Sequence, residues 1–212
     1  MRLRFPVTNG PIDIAWEDAP RLIRARAKEG GWPGVVCVSG AVGSGKTTLA
    51  ERLVELGDAL LISTDDYLPD YDSTPEHLRD EPGSSHLGEL GGHIGELLAG
   101  RAVELPVWSF QEHRRTGHRG VRPADLIVIE GIHALHASLD AVRGVGVLVA
   151  ASAETRWARW EILESTGQRG WGVERARAFF ASVADPTFEK HRPAYLSRAD
   201  FRVRNEHGLP DG

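Results

Sequence analysis

Cysteine is almost missing from this sequence: Cys37 is the one such residue in 212, so no internal disulfide can form and a reducing compartment is the expectation. It sits in the apolar run Val35-Val36-Cys37-Val38 and reads as a small core residue. Long hydrophobic runs are lacking too. No stretch approaches the ~18 to 20 apolar residues of a membrane span, and the opening Met1-Arg2-Leu3-Arg4-Phe5-Pro6 has no apolar segment of the signal type. Nor is there an excess of positive charge: 25 Lys and Arg against 30 Asp and Glu give −5, which argues against a nucleic-acid binder while leaving room for a local basic patch. The nine histidines follow no zinc spacing, His133 and His136 having no further ligand type at the right distance, so no structural metal is expected. Repeats and low-complexity tracts are absent. What is there, 41% apolar residues, suffices for the core of one domain with a small lid. The expectation is a cytoplasmic protein that binds neither membrane nor nucleic acid.

Short continuous apolar runs mark strands buried on both faces: Val35 to Ser39, Leu126 to Glu130 and Val145 to Ala150, with shorter candidates at Leu60 to Ser63 and Phe201 to Val203. Helical patterns lie between them, Leu49, Leu53 and Leu56 stopped by Gly57, and Leu87, Leu90, Ile94, Leu97 and Leu98 stopped by Gly100. Such alternation predicts an α/β domain with a mostly parallel sheet. Residues 1–34 read as an N-terminal extension with one helix, Asp18 serving as N-cap before Pro20, and 35–212 as the main domain. A strand pair at about 101–122 projects from that domain, and a lid is expected at about 153–172.

The strongest chemical signal is Gly40-Ala41-Val42-Gly43-Ser44-Gly45-Lys46-Thr47, followed by Thr48, which satisfies G-x-x-x-x-G-K-[ST] between a predicted strand and a predicted helix. Glycines let the backbone wrap round phosphates, so that N–H groups and a helix N-terminus face negative charge. Lys46 is then expected at the β- and γ-phosphates of ATP and the Thr47 hydroxyl at Mg2+. A guanine switch is disfavoured, because no Asn-Lys pair occurs and Asp80-Glu81-Pro82-Gly83 follows no apolar strand.

Carboxylates at strand ends supply the acceptor side. Ile62-Ser63-Thr64-Asp65-Asp66-Tyr67 puts Asp65 at the ligand-binding edge of the sheet, where it can take the proton of an attacking hydroxyl. Glu130 closes an apolar strand where a carboxylate can hold a magnesium water. The cluster His113, Arg114, Arg115, His118, Arg119 and Arg122 could hold an anionic acceptor or be a solvated loop. Trp157, Trp160 and Trp171 read as packing the lid onto the core, with adenine stacking as the alternative for one of them.

Together the P-loop, Ser63 to Tyr67, Asp80-Glu81-Pro82, Leu105 to Phe110 with His113 and Arg114, Glu130-Gly131 and Ala199-Asp200 resemble the uridine kinase and phosphoribulokinase family. The resemblance runs from about Val35 to Val203 and implies a three-layer αβα sandwich around a mostly parallel five-stranded sheet. It implies transfer of the γ-phosphoryl group of ATP, with Mg2+, to a hydroxyl of a small molecule, foremost a uridine- or cytidine-like nucleoside. Asp65 would be the base and Asp80 would bind sugar hydroxyls. Trp108 and His113, with Tyr67 and Arg114, would border the acceptor, and Arg169 would close over the phosphates. Family members are often oligomers of identical chains, although no segment here declares an interface. Trp108-Ser109 replaces the family's Tyr-Asp, and of the lid arginines only Arg159 and Arg169 remain. These departures keep open a sugar phosphate, pantothenate or another alcohol as acceptor, and a regulatory nucleotide-binding protein with degenerate transfer.

Overall fold

A computed structural model of the chain describes residues 10–31 and 33–207. The opening residues 1–9, where the sequence was searched for a signal segment, lie outside the described residues. In chain order the elements are β1 (Ile12–Ile14), α1 (Ala19–Glu29), β2 (Gly34–Gly40), α2 (Lys46–Glu55), β3 (Ala59–Ser63), α3 (Leu87–Leu98), β4 (Val103–Ser109) and β5 (Arg114–Val121). There follow β6 (Leu126–Glu130), β7 (Val145–Ala150), α4 (Ala153–Ser165), α5 (Val173–Phe179), α6 (Asp185–Arg198) and β8 (Phe201–Arg204).

Strand β2 dictates the layering. All seven of its residues are buried, so its alternate side chains serve two cores. Val35 and Cys37 join Leu87, Leu90 and Ile94 of α3 and Tyr195 of α6 on one face. Val36 and Val38 join Ile23 of α1 and Leu49 and Leu53 of α2 on the other. Burial pushes the Cys37 thiol up to about 12, consistent with an inert packing role.

The parallel α/β sandwich is as expected, but the strand count is corrected. The main sheet has six strands in the order β1-β8-β7-β2-β6-β3, every pairing parallel. The sixth is β1, whose three residues are too short to register as a hydrophobic pattern and are specified by pairing with Phe201 to Val203. Asp18 makes no capping hydrogen bond at α1 and pairs instead with Arg21 at 3.2 Å.

β4 and β5 form a separate antiparallel hairpin with a bulge between Val107 and Trp108. Asp66 holds it to the sheet, accepting from the Trp108 backbone N–H at 3.3 Å and lying 3.8 Å from Arg119. The lid has its own small core of Trp160, Ala176, Phe179, Phe180 and Val183, built where α4 and α5 meet a π-type turn at Phe180–Ala184. Among the described residues no helix is long and apolar enough to cross a membrane.

Candidate active site

Backbone conformation makes the phosphate loop. β2 ends at Gly40 and α2 begins at Lys46, with Gly43 at φ 74° and Gly45 at φ 91° between them, values that side-chain-bearing residues rarely adopt. A methyl group at Gly43 would run into the Arg156 carbonyl, and one at Gly45 into the Asn205 amide. Neighbours clamp the loop from outside: Asn205 Nδ2 donates to the Ser44 carbonyl at 3.0 Å and Arg159 Nη1 to the Gly43 carbonyl at 2.9 Å. Arg159 also donates to the carbonyls of Asn205 at 3.0 Å and His207 at 2.6 Å. It is therefore engaged with these carbonyl oxygens and does not line the cavity.

A chain of hydroxyls and carboxylates connects the loop to the acceptor side. The Thr47 hydroxyl donates to Glu130 Oε2 at 3.2 Å, and the Ser63 hydroxyl donates to Oε1 at 2.7 Å while accepting from the Asp65 backbone N–H at 3.2 Å. Ser63, not Asp65, is thus the cap of the turn Thr64–Tyr67, and the Asp65 carboxylate is left to face the cavity. Burial raises the pKa of Glu130 despite the opposing Lys46 charge. Among the described residues no group of three or more His, Cys, Asp or Glu could hold a metal by itself. Thr47 and Glu130 are nonetheless hard oxygen donors beside the loop, a set that suits Mg2+, which takes phosphate oxygens and waters for the rest.

A cavity partly open to solvent lies between hairpin, sheet edge and lid. Lys46, Asp65 and Asp80 meet at its polar end. Burial, reinforced by the Asp65 charge, pushes the Asp80 carboxyl up to about 7, with Lys46 and Arg79 opposing. His133 fixes the segment that carries Asp80: its Nε2 donates to the Asp80 carbonyl at 2.8 Å, leaving Nδ1 to accept from the Tyr195 hydroxyl at 2.8 Å. Burial lowers the pKa of His133 to about 3, so it stays neutral, as that pattern requires.

The other end of the cavity is aromatic. Tyr71 stacks on His113 with centroids 5.4 Å apart, and His113 stacks on Trp171 at 5.5 Å. His113 holds a left-handed conformation at φ 53°, uncommon outside glycine, fixed by its N–H donating to Ser109 O at 2.7 Å and its carbonyl accepting from Tyr71 N at 3.0 Å. Burial, aided by Arg175 and Arg79, lowers its pKa, so the ring is neutral. The lid closes this wall: Arg169 lies 3.8 Å from the Phe110 ring centroid, and Gln111 donates to the Gly167 carbonyl at 2.9 Å. Glu164, buried in the lid, accepts from Trp160 Nε1 at 3.1 Å and from the backbone N–H groups of Trp171 and Gly172 at 3.1 and 3.0 Å.

The structure thus gathers Lys46, Asp65, Asp80, His113 and Arg169 round one space, while three expected acceptor residues stand elsewhere. Tyr67 is fully buried beneath α3, its hydroxyl 2.8 Å from His93 Nδ1. Trp108 stands behind Tyr71, ring centroids 5.2 Å apart, rather than lining the cavity. Arg114 is exposed and paired with Glu112, and Arg115 is paired with Glu89, so the basic cluster points to solvent and to its own acids. Sequence reasoning missed Tyr71, Phe110, Glu164 and Trp171 as walls and His133 as a support. Trp160 and Trp171, expected as lid packing, line the cavity as well.

This combination of a phosphate loop opening on two carboxylates under a helical lid has a counterpart in known sequences. The family described as "Phosphoribulokinase / Uridine kinase family" matches residues 35–206. The chain belongs to this family. It is 31% identical over 175 residues to a uridine kinase of Deinococcus deserti, covering 78% of this chain and 81% of that one. It is 32% identical over 175 residues to a uridine kinase of Halobacterium salinarum, covering 78% of this chain and 77% of that one. Among solved structures, D-glycerate 3-kinase of Cryptococcus neoformans var. grubii has the same fold, with a TM-score of 0.53 at 14% identity, covering 91% of this chain and 94% of that one. The chain is accordingly an ATP-dependent phosphotransferase that acts on a hydroxyl of a small molecule.

Proposed function

We propose that the acceptor is a nucleoside of the uridine or cytidine type. The observation that carries this reading is the two-ended cavity. Carboxylates at one end suit the hydroxyls of a sugar, and the Tyr71, His113 and Trp171 rings at the other suit a planar base. The relatives named uridine kinase support it. A sugar phosphate is disfavoured, since Arg114 and Arg115 face away and the lid wall carries the acidic Glu164.

In this reading Asp80 accepts hydrogen bonds from sugar hydroxyls and Asp65 takes the proton of the attacking hydroxyl. The acceptor oxygen bonds to the γ-phosphorus as the bond to the β–γ bridging oxygen breaks, and ADP departs with that electron pair. Lys46 and Arg169 face the charge on the transferring group. Thr47 and Glu130 would hold Mg2+, which supplies charge neutralisation at the phosphates. The closed lid excludes water, which would otherwise compete as acceptor.

A second reading, nucleotide-binding regulation with degenerate transfer, is favoured by one observation: Arg159 is spent on carbonyls, leaving Arg169 as the lid arginine at the cavity. Phosphoryl transfer from ATP to a panel of nucleosides, sugar phosphates, pantothenate and small polyols, read by mass spectrometry, separates these readings. A phosphorylated nucleoside is the expected product. Product from another member alone overturns the nucleoside, and ATP binding without any product moves the chain to the regulatory reading.

A further inference from the structure

We propose that Trp16, which precedes the 35–206 span matched by the family, stacks on the base of the donor nucleotide. The inference rests on the nucleotide-binding reading of the phosphate loop. The γ end of the nucleotide is at the cavity, where Lys46 meets Asp65 and Asp80. The phosphate chain then crosses the loop, and the base must leave by the opposite flank of α2. Ligands of parallel sheets sit at the carboxyl ends of the strands, and on that flank these are the ends of β8 and β1.

Trp16 stands there, two residues beyond the end of β1. Its Cη2 is 3.6 Å from where a Gly45 side chain would begin, so the ring borders the phosphate loop itself. Arg52 pins it, donating to the Trp16 and Glu17 carbonyls at 3.2 and 3.4 Å, with its guanidinium carbon 5.4 Å from the ring centroid. Exposed Thr48 lies three residues after Gly45 and four before Arg52, on the same side of α2. Across from Trp16 is His207, ring centroids 6.4 Å apart and tilted by 44°, its Nε2 3.2 Å from Glu17. Arg159 holds the carbonyls of Asn205 and His207, so the segment facing Trp16 is fixed to the same lid helix that clamps the loop. The Trp16 ring, half-buried and packed in part against the second core, therefore borders the phosphate loop with the His207 ring beside it and exposed Thr48 on the same side of α2. The part of the ring that the core leaves uncovered is a face on which a base can stack.

The test uses the full chain with Trp16→Leu and Trp16→Phe, and two probes: a non-hydrolysable ATP analogue and inorganic tripolyphosphate, which engages the loop without a base. Calorimetry should show Trp16→Leu weakening the analogue by about tenfold, the scale of aromatic–base stacking, with tripolyphosphate unchanged and most of the loss restored in Trp16→Phe. The KM for ATP should rise while that for the acceptor holds. Wild-type affinity for the analogue in Trp16→Leu overturns the proposal. So does equal loss of both probes, which assigns Trp16 to loop packing. If the wild-type chain binds neither probe, the nucleotide reading fails with it.

Discussion

The donor and acceptor sides of the site meet at Lys46 and Asp65, yet they are built differently. On the donor side the proposed ligand groups come mostly from nine consecutive residues, Gly40 to Thr48, as backbone N–H, with Asn205 and Arg159 clamping the loop from outside. The acceptor side is assembled from side chains of separate segments: the turn after β3, the loop carrying Tyr71 and Asp80, the hairpin tip at Phe110 and His113, and the lid at Glu164 to Trp171. Backbone recognition tolerates neighbouring substitutions, because the N–H groups are the same in every residue. Side-chain recognition does not, and it is there that this chain departs from its family pattern.

Substitutions that disable each side alone should separate donor from acceptor. Lys46→Ala should lower turnover by about 10³-fold or more through lost charge on the phosphates. Asp65→Asn should lower transfer by about 10² to 10⁴-fold, the range of general-base catalysis, while leaving nucleotide affinity within about twofold. Steady-state rates with calorimetry for the ATP analogue check both. A matching loss of nucleotide binding in Asp65→Asn would mean that the two sides are not separable.

A smaller effect is expected at the aromatic wall. Trp171→Ala removes a ring stacked on His113 and packed against Phe179 at 4.7 Å, and should raise the acceptor KM by about tenfold. The KM for ATP should stay near wild type. An equal rise in both would make Trp171 a lid-closing residue rather than an acceptor contact.

The smallest effect concerns stability. Asp80 titrates near 7 in the folded chain against 3.8 for the free side chain. Between these pH values the folded state keeps a proton that the unfolded state has released, so stability falls as pH rises through the window and levels off above it. Asp80→Asn should therefore stabilise the protein at pH 8 by about 1–2 kcal/mol, allowing for solvent screening, and the gain should vanish toward pH 4. Thermal unfolding of both proteins across that range reads the effect. A loss of stability at pH 8 would show that the Asp80 charge is compensated, not costly.

The sequence was most legible where physics is local. Strands β2, β6 and β7 were apparent because a strand buried on both faces must be apolar at every position. Strands β4 and β5 lie between residues 103 and 121, whereas the lid runs past residue 172 through α5 to the turn at Phe180–Ala184, a stretch with no glycine to mark its end. Strand β1 was not legible, since three residues carry no periodicity and are held only by β8.

The same divide separates the two halves of the site. The candidate phosphate loop, its lysine and threonine, and the carboxylates at strand ends can be read from the sequence alone, because glycine spacing and strand termini are properties of neighbouring residues. Only the tertiary structure decided that Tyr67 and Trp108 are supports while Tyr71 and Trp171 are walls, that Arg159 is a clamp, and that His133 holds Asp80. Which way a side chain faces depends on what packs behind it, and those partners lie 26 residues away for Tyr67, 53 and 62 for His133 and as far as 116 for Arg159.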